Sequence, residues 1–312
     1  MRGRRGAAGA LPALCAALLA GCGAGSGSGS GDPAGSADTG GTSGADGPPS
    51  ASAGTASAGA ASALTATPTL PGADAAFLAL PDGLGRRAGV AITPVRPPEP
   101  LGSPRWSFSW GGQAGGPAWS TIKVPLAVAF GSAFGAGEAD TQRRTLEQSD
   151  NDAAGVLWTR LGSGATAASA VQAELRAGGD AQTVVPYAEV RAPYTPYGQT
   201  DWTLARSATY AASLPCRPAA AAAYQHLRTL AASPGWGLGA VGAEAYKGGW
   251  GPRVEGGYLA RQLGVLTTAD GGRVAVAVLV VSDGGYDVAT AELTTVAQFV
   301  GPRVRELPGG RC

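Results

Sequence analysis

Histidine is almost absent from this chain of 312 residues, and its scarcity narrows the available chemistry. The only histidine, His226, lies in an Ala-rich stretch where a solvated or helix-capping role is the usual one. A Ser-His-Asp triad and a histidine-based zinc site both need imidazole groups that the chain does not supply. We therefore expect no metal and no cofactor, and any nucleophilic chemistry must use a different base.

Lysine and asparagine are nearly as rare. The sequence holds 2 Lys against 21 Arg, and Asn151 is its only asparagine. Arginine keeps its proton in proteins, whereas a desolvated lysine can become neutral, so a position that transfers protons accepts Lys and refuses Arg. Both lysines and the asparagine fall within three short segments, Ser120-Thr121-Ile122-Lys123, Ser149-Asp150-Asn151 and Lys247-Gly248-Gly249. This grouping makes the three segments candidates for catalysis.

The N-terminus has the pattern of an export signal. Three arginines precede a run of small apolar residues, Ala7 to Ala20, which is too short to span a bilayer. The run closes with Leu19-Ala20-Gly21-Cys22, which resembles the lipobox of bacterial lipoproteins. We expect residues 1–22 to be a lipoprotein signal peptide, with lipid on Cys22 anchoring the chain to the outer face of the bacterial cell membrane. An ordinary secretory cleavage site is the alternative.

The next segment, residues 23–72, consists of Gly, Ser, Ala, Thr and Pro with few large apolar side chains. Such a composition buries too little surface to fold, so we expect a disordered linker. Residues 73–312 are then sufficient for one domain with a substantial core. Without the three signal arginines, 20 basic residues stand against 22 acidic ones, which gives no indication of nucleic-acid binding. We expect a monomer.

Two cysteines, Cys216 and Cys312, remain in the folded part. Export would place them in an oxidising compartment, where we expect them to form a disulfide. Two buried thiols are the alternative, because sequence separation does not fix the distance between their Cα atoms.

Hydrophobic patterning predicts an α+β fold. A short helix over Asp74–Leu80 and strands over Gly89–Val95 and Arg105–Trp110 come first. Two strands, Tyr258–Thr268 and Arg273–Ser282, and a final helix over Tyr286–Val304 come last. Helical, Ala-rich segments occupy the middle: Ser120–Phe130, Asp150–Leu161, Ala165–Arg176, Thr203–Leu214 and Pro218–Ala231. This order predicts an antiparallel sheet assembled from both ends of the domain, an all-helical insert, and a cleft between them.

In their order, the three segments resemble the SxxK, SDN and KTG motifs of class A β-lactamases and penicillin-binding D,D-peptidases. The resemblance covers roughly Ala73 to Cys312. It implies a β-lactamase/transpeptidase-like fold, with the sheet flanked by N- and C-terminal helices and joined to an all-α subdomain. It also implies a serine acyl-hydrolase whose Ser120 is acylated by β-lactams or by D-alanyl peptides of peptidoglycan.

Helical spacing agrees with this resemblance. Residues i and i+3 share a helix face, so Lys123 can reach the hydroxyl of Ser120 and accept its proton. The backbone N–H of Ser120 at the start of a helix can also donate to a developing oxyanion. The resemblance implies that Ser149 and Lys247 pass a proton to the leaving nitrogen.

Three further residues take substrate-binding roles by the same resemblance. Asn151 would hydrogen-bond the acyl-side amide of the substrate, and Gly249 would let the substrate backbone lie along a strand edge. The backbone N–H of Trp250 would be the second oxyanion donor.

The sequence departs from the family pattern in two places. Gly248 lacks the hydroxyl that helps to hold a substrate carboxylate, and Arg261 could supply a charge-assisted contact instead, with a structural salt bridge as the alternative. Glu189 stands at an offset from Thr203 that suits the deacylating glutamate of class A enzymes, although the residues after it differ. The alternative for Glu189 is a solvated loop carboxylate. In that case an acyl-enzyme would persist, and the protein would be a non-hydrolysing cell-wall-peptide or penicillin-binding lipoprotein.

Overall fold

The computed structural model describes residues 70–97, 106–233 and 235–312. The expected signal peptide with Cys22, almost all of the expected linker and the first residue of the strand expected from Arg105 lie outside the described residues. The described residues all belong to one unit of the chain, residues 58–312. The extents of the signal peptide and linker therefore remain predictions.

Two antiparallel sheets are present in the described part of the chain. Their strands, numbered in chain order, are β1 Ala88–Pro94, β2 Phe108–Gly111, β3 Gly115–Pro117, β4 Asp201–Thr203, β5 Ala245–Pro252, β6 Tyr258–Thr267 and β7 Arg273–Ser282. The main sheet has the order β2-β1-β7-β6-β5, and β3 pairs with β4. The N-terminal strands therefore join the C-terminal ones in one sheet, and β5 forms an edge.

The helices lie at both ends of the chain and in the middle. They are α1 Ala73–Leu78, α2 Leu84–Arg87, α3 Lys123–Phe134, α4 Ala139–Glu147, α5 Asn151–Arg160, α6 Gly164–Ala177, α7 Leu204–Ser213, α8 Ala221–Ala231 and α9 Tyr286–Arg305. This arrangement confirms the α+β class and the helical insert predicted from the sequence. Within the described ranges, no helix combines the length and apolarity needed to cross a membrane.

The central strand β7 explains the continuous apolar run in the sequence. All residues from 274 to 280 are buried, because helices cover both faces of the sheet. On one face Val276 and Val278 pack in the same cluster as Val296 of α9. On the other face Ala277 clusters with Ala208 of α7. The strand register therefore fixes which side of the sheet each neighbouring element occupies.

Helix α3 runs through the middle of the helical block. Every residue from Lys123 to Phe130 is buried, and the helix packs against α4, α5, α6 and α8. Because this stretch of the helix is enclosed on all sides, it has no polar face and needs no amphipathic pattern. Lys123 therefore places its amine at the start of a buried helix segment.

A disulfide joins the helical block to the far end of the chain. Cys216, which follows α7, is bonded to Cys312 with Cα atoms 5.1 Å apart. The bridge was expected from the sequence, and its partners are 96 residues apart. It restricts the unfolded chain by closing a long loop.

Replacing Cys312 by Ser should lower the free energy of unfolding by about 2–4 kcal/mol, because the loop is no longer closed in the unfolded state. Denaturant titration of the oxidised protein measures the change. The oxidised and reduced forms of the unsubstituted protein are the control, and their difference should match that of Cys312→Ser. Equal unfolding midpoints for the variant and the oxidised protein would contradict this expectation.

Candidate active site

The segment that contains Ser120 begins as a 3₁₀ helix, Trp119–Ile122, and continues directly into α3. The single α-helix expected from Ser120 is therefore corrected: its first turn is tighter. In a 3₁₀ helix residues i and i+3 eclipse, which places Ser120 and Lys123 on one side. Trp119 has φ 48°, a left-handed conformation that is rare for a bulky residue and costs about 1–3 kcal/mol. Such strain just before a reactive hydroxyl is typical of a functional turn.

Lys123 is 2% exposed, and both of its hydrogen-bond acceptors belong to the Ser149-Asp150-Asn151 segment. Its Nζ donates to the carbonyl oxygen of Ser149 at 2.5 Å and to Oδ1 of Asn151 at 2.6 Å. Burial lowers the pKa of Lys123 to about 8, although the carboxylate of Asp150 favours the charged form. A neutral amine has two N–H bonds and one lone pair. With both N–H bonds donated, the lone pair is left to accept a proton.

Ser149 lies between α4 and α5 in a left-handed conformation, with φ 55°. This conformation presents two groups of one residue to two lysines, since the carbonyl oxygen meets Lys123 and Oγ meets Lys247. The next residue, Asp150, caps α5 by accepting hydrogen bonds from two backbone N–H groups. Its other carboxylate oxygen accepts from Nε of Arg144 at 2.9 Å. The loop is thereby held from both of its helices.

Lys247 approaches Ser149 from the sheet. It is 2% exposed on β5, and its Nζ donates to Oγ of Ser149 and to the carbonyl oxygen of Gly248, both at 2.9 Å. Burial holds the pKa of Lys247 well below its ordinary value, and the charge of Lys123 lowers it further. The three segments singled out by rare residue types thus meet at one point, with Ser149 between the two amines.

Strand β5 lies directly against the turn that carries Ser120. A Cβ atom added to Gly249 would stand 2.8 Å from both the carbonyl oxygen of Ala118 and the backbone nitrogen of Ser120. A Cβ at Gly251 would stand 2.2 Å from the indole of Trp119. Lys247 projects from the same face, because side chains alternate along a strand. Glycine at 249 is therefore required for the strand to approach the candidate nucleophile.

A cavity of about 490 Å³ opens above these residues. Its lining residues are Trp119, Ser120, Ser149, Asn151, Pro193, Tyr194, Thr195, Tyr197, Gly198, Gln199, Trp250, Gly251, Pro252 and Tyr258. Ser120 is half-buried there and accessible from the cavity. Among the residues that the structure describes, no group of three or more His, Cys, Asp or Glu could hold a metal ion. The site offers a hydroxyl, two amines and an amide, which suits acyl transfer through a serine.

No protein-family model and no curated protein matches the sequence. Solved structures do match: a class A β-lactamase from Bacteroides cellulosilyticus has TM-score 0.58 at 13% identity, covering 75% of this chain and 98% of that one. The TLA-3 extended-spectrum β-lactamase has TM-score 0.57 at 15% identity, over 75% and 98%. PBP-A has TM-score 0.57 at 18% identity, over 78% and 100%. The chain has the class A β-lactamase fold.

Within the β-lactamase fold, Arg261 does not reach the cavity. It is 1% exposed on β6, and its guanidinium donates to the carbonyl oxygens of Gly116, Pro117 and Trp202 and to Oγ of Ser207. The expected substrate contact is therefore wrong, and so is the salt-bridge alternative, because its partners are neutral. Arg261 instead fixes the strand that precedes the Trp119–Ile122 turn.

Glu189 is also outside the cavity. Its side chain is exposed on the loop before α7, and it is not among the lining residues. The structure therefore favours the alternative of a solvated loop carboxylate. None of the described residues that line the cavity is acidic, so the wall holds no carboxylate beside Ser120 that could activate a water molecule for deacylation.

The sequence analysis missed the aromatic side chains around the site, and it assigned Trp250 a role for its backbone N–H only. Five line the cavity: Trp119, Tyr194, Tyr197, Trp250 and Tyr258. Trp119 and Trp250 directly adjoin Ser120 and Gly249 in the sequence, and that adjacency was the available signal. Tyr194 and Tyr197 come from a Pro- and Tyr-rich stretch between helices that carries no hydrophobic period.

Gly249→Ala should reduce the reactivity of Ser120 toward a fluorophosphonate by at least about tenfold, because its Cβ would push the backbone of the turn away from β5. Gly248→Ala is the matched control. Its Cβ would meet only side chains, the nearest being Cζ2 of Trp236 at 3.0 Å. Intact-mass measurement of the adduct over time gives both rates. Equal losses in the two variants would contradict the role given to Gly249.

Proposed function

We propose that the protein is an exported serine acyl-hydrolase of β-lactamase type, in which β-lactams or D-alanyl peptides acylate Ser120. The observation that carries the proposal is the meeting of two buried lysines at Ser149, beside a cavity that contains Ser120. Lysine in place of histidine is the base that this histidine-poor chain can supply. The fold shared with class A β-lactamases and PBP-A supports the same class of reaction.

Acylation begins with proton transfer to the lone pair of Lys123. The Oγ atom of Ser120 bonds to the acyl carbon as its proton moves to Nζ, and the C–N bond of the substrate then breaks. The leaving nitrogen takes a proton from Oγ of Ser149, and the proton that Lys123 gained from Ser120 is returned to that Oγ, while Lys247 stabilises the oxygen through the 2.9 Å hydrogen bond. A lysine with a pKa of about 8 is half neutral at pH 8 and can perform the first step, whereas an ordinary exposed lysine would be almost fully protonated there.

Backbone and amide groups provide the binding contacts. The N–H groups of Ser120 and Trp250 are the proposed oxyanion donors, and edge strand β5 leaves one side open for a substrate backbone along Gly249. The Oδ1 atom of Asn151 accepts a hydrogen bond from Lys123, so the amide nitrogen of Asn151 remains as a donor for the acyl-side carbonyl.

A second candidate function follows from the exposed position of Glu189. Without an acidic group in the described lining, hydrolysis of the acyl-enzyme would be slow, and the protein would act as a penicillin-binding or cell-wall-peptide-binding lipoprotein. A D,D-peptidase that transfers the acyl group to another acceptor has the same first step.

Export and lipid anchoring are part of the proposal. The basic and apolar segments before Cys22 support a lipoprotein on the outer face of the cell membrane. The bridge between Cys216 and Cys312 supports an oxidising compartment.

Incubation with a penicillin should add the mass of one intact β-lactam to the protein, and Ser120→Ala should abolish the adduct. Intact-mass measurement over time follows the adduct, while absorbance at the β-lactam band follows product. Product without an accumulating adduct means efficient hydrolysis, and a lasting adduct means the second candidate. Product or adduct that persists in Ser120→Ala would contradict the assignment of the nucleophile.

The acylation rate should rise about tenfold per pH unit below pH 8 and level off above it, because only neutral Lys123 accepts the proton.

Asp150→Asn should shift this pH profile of the acylation rate to lower pH, since the carboxylate favours the ammonium form of Lys123 and asparagine still caps α5. Lys123→Arg should lower the plateau by about 10²-fold or more, because a guanidinium keeps its proton. Stopped-flow measurement of acylation checks all three, and an unchanged profile in Asp150→Asn would count against Lys123 as the base.

A further inference from the structure

Four aromatic side chains form a connected group at one end of the cavity, here called the aromatic wall: Trp236, Trp250, Tyr258 and Tyr286. The rings of Trp236 and Trp250 meet edge to face at 6.0 Å between centroids. Tyr286 lies 5.2 Å from Trp250 and 6.4 Å from Tyr258. Trp250 and Tyr258 line the cavity, so the wall presents ring surface to a bound substrate.

The aromatic wall occupies the space beside Gly248. A Cβ atom at this position would stand 3.0 Å from Cζ2 of Trp236 and 3.6 Å from Cζ3 of Trp250. A side chain at position 248 therefore requires the indole of Trp236 to move by a few tenths of an ångström. Ring surface thus stands where the third motif of the family carries a hydroxyl. Gly248 and Trp236 depend on each other, because the indole occupies space that a side chain at position 248 would need.

No permanent charge compensates for the missing hydroxyl. The described residues that line the cavity include no Asp, Glu, Lys or Arg. The donors of Lys247 are directed at Ser149 and Gly248, and Arg261 is buried against backbone carbonyls. A carboxylate that enters such a site loses water without gaining a cation, and the face of an aromatic ring carries negative charge density.

Two arginines, Arg191 and Arg253, line a neighbouring cavity, where each already has a partner. Arg191 donates to the carbonyl oxygen of Pro252 and lies 4.7 Å from the ring centroid of Tyr194. Arg253 is paired with Glu255 at 3.2 Å. Neither guanidinium is among the groups that face the aromatic wall in the first cavity.

We propose that the site reacts fastest with acyl donors whose leaving group is uncharged and apolar, such as neutral aryl esters, and that β-lactams and D-alanyl peptides, which carry a carboxylate on that side, acylate Ser120 more slowly. This inference rests on the proposed acylation of Ser120 and specifies the substrate class. The Oγ atom of Ser120 bonds to the acyl carbon and the C–O bond of the ester breaks. The serine proton passes to Lys123, and the phenolate leaves directly or takes a proton from Ser149.

The test uses two esters that differ by one carboxylate on the leaving group, phenyl phenylacetate and its 3-carboxyphenyl counterpart. Rates of phenol release and of Ser120 adduct formation are divided by the hydroxide-catalysed rates of each ester. We expect the neutral ester to react at least about tenfold faster in kcat/KM, because the carboxylate must be desolvated against the ring surface. Ser120→Ala is the control for reaction at that hydroxyl.

Trp250→Ala should slow the neutral ester by about tenfold and change the charged ester much less, which brings the two rates together. Trp236→Ala combined with Gly248→Ser clears the space and adds a hydroxyl. It should raise the rate of the charged ester by about tenfold. If Trp250→Ala fails to fold, the double variant still tests the role of the aromatic wall. Thermal unfolding of each variant establishes whether it is folded.

The outcomes separate this inference from the function on which it rests. Faster or equal reaction of the charged ester, with an adduct on Ser120, overturns the selectivity and leaves acylation intact. Unchanged ratios in both variants overturn the role of the aromatic wall. The absence of any Ser120 adduct with either ester and with penicillin overturns both proposals.

Discussion

The structure of the site depends on one constraint: two buried lysine amines converge on a single serine between them. Burying a cation without a counter-ion is costly, and lysine relieves that cost by losing its proton, whereas arginine cannot. Ser149 supplies an acceptor to each amine, its carbonyl oxygen to Lys123 and its Oγ to Lys247. The buried helix α3, the capped start of α5 and strand β5 each contribute one part of this arrangement. The left-handed conformation of Ser149 and the missing side chain of Gly249 let the parts approach closely enough.

The same architecture separates the groups that transfer protons from the surface that contacts the substrate. Polar groups that transfer protons lie deep, between the helical block and the sheet, while rings and neutral polar groups line the cavity above them. A low-dielectric surrounding strengthens each hydrogen bond at the centre and lowers the pKa of both amines. It also makes the site unfavourable for anions, so the features that activate Ser120 and those that select an uncharged leaving group have a common physical origin.

Much of the fold and of the centre was predictable, because strong local signals specify them. The apolar run of β7 has bounds that match Arg273–Ser282, and the scarcity of lysine and asparagine pointed to the three segments that meet. Helix α4 was missed because it is rich in charged residues, and the 3₁₀ start at Trp119 cannot be distinguished from α-helix by spacing alone. The role assigned to Arg261 was wrong because sequence does not show which face of β6 is covered by β3 and β4. The aromatic wall was missed because its members come from four separate parts of the chain, which only the tertiary fold brings together.

Because the chain contains only two lysines, the pKa of each can be measured separately. Labelling lysine with ¹³C at Cε gives two signals in this chain, and single substitutions of Lys123 and Lys247 by arginine assign them. We predict that the Lys123 signal titrates near pH 8 and that the Lys247 signal titrates at a pH well below that of an ordinary lysine. Two signals that both titrate near pH 10.4, the value of an exposed lysine, would place the amines in water and contradict the convergence on Ser149.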